Sequence, residues 1–269
     1  MIRASCRRTA PSWFLTMDVV HLCLSLTPVP CLAPAFSALR FIWSSIERAK
    51  ASKCQLEALA QSIAQLLKAL NGEYRNGRLL QARTSTPLAD LHKVLEEISA
   101  FVQKEASCGF LKLLFTKDQR IARIESYYRH IGISIESFQI SALLNINTWQ
   151  VRNDNARADD QRLLNERLIQ LERNQERLIE VLNMHQDDCM AMMVSLQRRL
   201  DNVSDGDQER QFFSHALRYL TTASGRQVEM ESWMITSYEV EFGRRIGSGG
   251  LCVLLLVQVV SAFCPLILN

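Results

Sequence analysis

The residues with the clearest chemical potential are three glycines, Gly247, Gly249 and Gly250, in the run Gly247-Ser248-Gly249-Gly250. A run of bare backbone lets N–H groups approach and cradle a phosphate that larger side chains would hold off. A second grouping is His185, Asp188 and Cys189, one helical turn apart, a spacing that can hold a metal. Two or three ligands on one isolated helix do not close a coordination shell, and a heptad seam explains the same positions, so no metal site is expected. The five histidines are widely spaced, no Ser-His-acid set stands out, and the expected catalytic set is empty. A third grouping is basic: Lys104, Lys112, Lys117, Arg120 and Arg123 surround Phe110–Phe115. Lys112, Lys117, Arg120 and Arg123 are the candidate lipid-facing residues, each cation contributing about 1 kcal/mol near an anionic surface. The plainer reading is preferred, in which Phe110, Leu113 and Phe115 cap a bundle end with the cations solvated around them.

Composition narrows the classes. The net charge of +3 is too small to argue for nucleic acid, and the aromatic residues are too scattered for a single-strand groove. Ten glycines and six prolines in 269 residues favour long helices over a turn-rich β fold. The eight cysteines form no C-x-x-C pair and read as reduced thiols of a cytoplasmic protein. Arg3, Arg7 and Arg8 precede an apolar run from Trp13 to Leu26, but Asp18 and His21 interrupt it. A first bundle helix is expected there in preference to a targeting peptide.

The elements follow from periodicity. The spacing predicts a short helix over 13–27, ended by Pro28 and Pro30, and a long one over 33–70. Thr86 as N-cap and Pro87 at the first helical position open a third, ended by Gly109. Residues 117–149 carry the cleanest stripe: Ile121, Ile124, Tyr128, Ile131, Ile135, Phe138 and Ala142, at alternating steps of 3 and 4. That helix would be roughly 50 Å long, with Thr116 and Gln119 as a capping box. Four stripes closing one core make a four-helix bundle over about 13–150. A more polar helix over 155–200 follows, with Leu164, Leu168, Leu171, Leu178 and Leu182 at heptad spacing as a coiled-coil-like association seam; Gln175 and His185 interrupt it. Residues 201–232 read as a linker with a short helix over 212–220. Trp233–Phe242 alternates β-branched and aromatic residues as a strand does. Leu251–Leu268 is eighteen residues without a charge, long enough for a tail anchor.

Tyr238-Glu-Val-Glu-Phe-Gly-Arg-Arg-Ile-Gly-Ser-Gly-Gly250 resembles the first strand and glycine-rich loop of a tyrosine-kinase-like serine/threonine kinase. In that family G-x-G-x-x-G-x-V covers the ATP phosphates. Gly247 and Gly249 match the first two glycines; Cys252 stands at the third and Leu254 at the valine. No V-A-I-K lysine, H-R-D or D-F-G follows. The resemblance therefore implies ATP as cofactor of the intact family only, and no phosphoryl transfer by this chain. Pro28-Val-Pro30 with Phe41-Ile-Trp43, Thr84-Ser-Thr-Pro-Leu-Ala-Asp90 and Phe101-Val-Gln-Lys-Glu105 are similar to helical domains fused to kinases in mushroom-forming fungi. Those resemble the four-helix bundle of mixed-lineage-kinase-like proteins and, more distantly, the Cbl N-terminal bundle. The implied chain is a kinase cut short after residue 250, with 251–269 as sequence read past a lost splice junction; a genuine membrane anchor is the competing reading.

The sequence thus leads to an all-α fold, with a short β remnant of a kinase N-lobe at 233–250 and an apolar tail over 251–269. The expected function is a non-catalytic signalling adaptor or regulatory module that binds a protein partner, or a second copy, through its helices. The alternative is a membrane-acting or tail-anchored bundle of the cell-death type, reaching the membrane through 251–268 or the basic connector.

Overall fold

The architecture is that of a computed structural model, which describes residues 13–49, 51–182, 186–202, 208–225, 235–238, 240–248 and 253–259. The fold is all-α, with one small hairpin. The helices are α1 (Trp13–Leu24), α2 (Ala33–Ile46), α3 (Lys53–Arg75), α4 (Gln81–Ser107), α5 (Phe110–Phe115), α6 (Lys117–Ser137), α7 (Ile146–Arg173), α8 (Gln175–Leu182), α9 (Gln186–Asn202) and α10 (Gln208–Ser224). Strands β1 (Val240–Ser248) and β2 (Val253–Val259) pair antiparallel. The chain divides into two compact units: Met1–Cys108 with Arg120–Gln161, and Gly109–Gln119 with Arg162–Asn269.

In the first unit the predicted stripes meet in one core. Leu39, Ile42, Leu59, Ile63, Leu95 and Ile131 are among its fully buried members. Four helix boundaries differ from expectation. The helix expected over 33–70 is two, α2 and α3, because Glu47–Gln55 contains no large apolar residue to hold a further turn against the core. Ser52, with φ 51°, turns the chain there. Helix α4 begins at Gln81, so Pro87 lies inside it and Thr86 is not its N-cap. The Tyr74 and Thr84 hydroxyls bond to one another, and Thr84 also donates to the Leu80 carbonyl at 3.0 Å. These bonds anchor the turn before the proline, which itself lacks an N–H to donate.

The helix expected over 117–149 stops at Ser137. The Ile140 amide reaches back to Ile135 O and Gln139 adopts φ 57°, a Schellman-type ending. Turning there buries Ile140 as well as Phe138. Asn145 then caps α7, accepting from the Thr148 amide at 3.2 Å. The capping box expected at Thr116 does not form: its hydroxyl donates to Lys112 O at 2.8 Å.

The second unit contains α5, the end of α7, and α8–α10. Residues 155–200 are not one helix. Asn174 ends α7 and caps α8, accepting from the Arg177 amide at 3.1 Å, and α9 begins at Gln186. The core joins Leu114, Phe115, Met192, Met193, Phe212 and Phe213. Phe115 lies 6.1 Å from Phe213 and 5.2 Å from Tyr238, centroid to centroid, geometries that favour aromatic contact.

The strand expected over 233–242 starts only at Val240; Ile235–Tyr238 is not strand. Strand β1 instead runs on through Gly243–Ser248, where a loop was expected. Part of the apolar tail, Val253–Val259, is its partner β2. Among the described residues no helix is long and apolar enough to cross a membrane.

Candidate functional site

The glycine run falls at the tip of the hairpin. Gly247 belongs to β1 and pairs with Leu254, while Ser248 pairs with Val253. Gly249 and Gly250 lie outside the described residues. The ladder slips between Phe242 and Arg245 and again between Arg245 and Gly247. Irregularity beside strand glycines is expected, since residues without Cβ weaken regular pairing.

The basic connector is taken apart by the fold. Phe110 to Phe115 forms α5, whose Leu111, Leu113, Leu114 and Phe115 are buried. Leu111, Leu114 and Phe115 belong to the core of the second unit, so they do not cap the end of the bundle. Lys112 is half-buried between Leu111 and Leu113. Lys117 pairs with Glu209. Arg120 belongs to the first unit and is only 5% exposed, so it cannot face a lipid surface. Arg123 donates to the Tyr127 hydroxyl at 3.0 Å and lies over that ring at 5.5 Å.

The proposed seam is also spent within the chain. Leu168, Leu171, Leu178 and Leu182 are buried in the second unit's core, and Leu164 packs half-buried against it. The heptad spacing recorded a real apolar stripe, but its cover comes from α5, α9 and α10. The side chains of Gln175, His185 and Asp188 lie outside the described residues. Cys189 is half-buried with its Sγ 4.0 Å from Met193 Sδ. Among the described residues no three His, Cys, Asp or Glu side chains gather as metal ligands.

What sequence reasoning missed is a polar cluster inside the first unit. Asp160 on α7 reaches the start of α3 and accepts from the Cys54 amide at 3.0 Å and the Gln55 amide at 2.9 Å. It therefore fills the N-cap role from a distant helix, satisfying two orphan donors at the positive end of the α3 dipole. Gln55 in turn bonds Asn153 at 3.5 Å. Arg120 Nε lies 3.1 Å from Ser52 Oγ and 3.4 Å from Glu105 Oε2. That guanidinium braces the left-handed turn at Ser52.

Burial raises the Asp160 pKa, opposed by its bonds from the Gln55 and Cys54 amides and by the Arg120 charge. Burial, reinforced by Asp160, pushes the Cys54 thiol up to about 12. Glu57 is also raised by burial, with Lys53 acting against it. A thiol so far from ionising is a poor nucleophile at neutral pH, and the cluster's role is to join the ends of α3, α4, α6 and α7. No local signal marks it, because its members come from four separate stretches of chain.

Comparison with protein-family models, with curated proteins and with solved structures finds no match to this chain.

Proposed function

We propose that the chain is a signalling adaptor or regulatory module of protein-kinase type, acting through helix-mediated association with a protein and not through catalysis. The observation that carries this reading is the order of parts at the C-terminal end. Two strands flank the glycine run of residues 247–250, which is the strand–glycine–strand order with which kinases of the resembled family cover ATP. The sequence lacks the lysine, H-R-D and D-F-G elements that would place metal and hydroxyl, so the hairpin is read as a relic and phosphoryl transfer is not assigned to it.

The association surface is assigned to exposed apolar helix positions, because the heptad leucines are buried. Phe41 on α2 is 41% exposed and Val151 on α7 is 59% exposed. Proximity labelling in cells tests this. Wild type should label a reproducible protein partner, and Phe41→Asp or Val151→Asp should lose it while keeping the helical circular-dichroism signal. Leakage of dye from anionic vesicles, with no such partner, would replace the adaptor by the membrane-acting reading. ATP binding that is abolished by Gly249→Val would overturn the relic reading.

A further inference from the structure

We propose that β2 is a self-association edge, through which two copies of this chain pair antiparallel across Val253–Val257 to give a four-stranded sheet of order β1-β2-β2′-β1′. The sheet has two strands, so among the described residues one edge of β2 has no ladder partner. Two-stranded hairpins are marginal in water, and further strands are what stabilise them.

The occupant is set by the sequence of the strand. Val253-Leu-Leu-Leu-Val257 reads the same in both directions about Leu255. An antiparallel pairing centred on Leu255 places Val253 opposite Val257, Leu254 opposite Leu256, and Leu255 opposite its own copy. That is the self-complementary arrangement an isologous two-fold contact requires. A strand of another protein has no such built-in match of register and size. Charge supports the same choice. Sheet edges are protected from pairing by charged residues, prolines and bulges. From Val253 to Val259 there is no charge and no proline. Strand β1 carries Glu241, Arg244 and Arg245 together with both register irregularities. Association through β2 therefore closes at two copies, because the outer edges are the guarded ones. The inference rests on the hairpin alone and not on the proposed kinase kinship.

Sedimentation equilibrium of the full chain tests it. Wild type should show a concentration-dependent rise to twice the 30.7 kDa chain mass. Leu255→Lys and Leu255→Glu each set like charges opposite one another at the two-fold axis, which is destabilising, and each should sediment as a single chain with unchanged helical signal. A one-to-one mixture of the two variants should recover the doubled mass, because opposite charges then face each other; a folding defect would not be rescued this way. The proposal is overturned by a wild type that stays at single-chain mass, by a Leu255→Lys chain that still dimerises, by species larger than two copies, or by a mixture that fails to recover the dimer.

Discussion

Replacing Arg120 by Met removes the one guanidinium of the buried cluster and keeps a side chain of similar length. Glu105, with its side chain 8% exposed, then loses the cation 3.4 Å away. Breaking a buried pair by deleting one partner costs about 3–5 kcal/mol, because the remaining charge stays desolvated. Ser52 loses its donor at a left-handed position, and Asp160 loses a charge that holds its pKa down. Against a typical domain stability of roughly 5–15 kcal/mol, the first unit should become marginal. Its melting midpoint should fall by roughly 6–20 °C, taking about 2–4 °C per kcal/mol for a unit of this size. The assay is urea and thermal denaturation of the full chain, with hydrogen exchange at the Cys54 and Gln55 amides reporting on the start of α3. The double variant Arg120→Met/Glu105→Met should recover most of the loss, since a buried pair can often be replaced by apolar residues at little cost. A single variant within about 1 kcal/mol of wild type, or a double variant no better than the single, would refute the claim that this pair organises the helix ends.

Asp160 makes a pH-dependent prediction. Its folded-state pKa is raised above the ordinary 3.8, so the folded protein binds the proton more tightly than the unfolded chain. The associated stability is present below the ordinary value and is lost as pH rises through the folded-state value. The cost of Asp160→Asn should therefore be smaller at pH 7 than at pH 4 in urea titrations; a cost that grows with pH contradicts the burial argument. Phe115→Ala empties a site between Phe213 and Tyr238 and should destabilise the second unit by about 3–5 kcal/mol. Exchange should then rise along α5 and α10; a loss confined to the first unit would show that α5 had been assigned to the wrong core.

The legible part of this protein is its helical character. Regular 3-and-4 spacing marked Ile124, Ile131, Ile135 and Phe138 as core residues, and all four are buried. The same spacing marked Leu168, Leu171, Leu178 and Leu182 as an apolar stripe, and it is one. Periodicity reports which residues must leave water. It is silent on where a helix ends, since Phe138 and Ile140 are buried by a turn as readily as by a continued helix. The break after α2 had a readable sign, the long gap in large apolar residues from Glu47 to Gln55, whereas Pro87 inside α4 had none, because its tolerance depends on Tyr74 reaching Thr84.

By itself, then, the sequence determined the all-α class, the apolar faces and the presence of a glycine run near the C-terminal end. Those are properties of neighbours along the chain, set by composition and by the helical repeat. Only the tertiary structure decided which apolar face meets which. It sent the α5 leucines and the heptad stripe into one core, seated Arg120 beside Glu105 and brought Asp160 to the first turn of α3. These arrangements depend on residues roughly 15 to 106 positions apart finding one another. Their energy comes from desolvation and from satisfying buried donors, which exists only once the helices have packed.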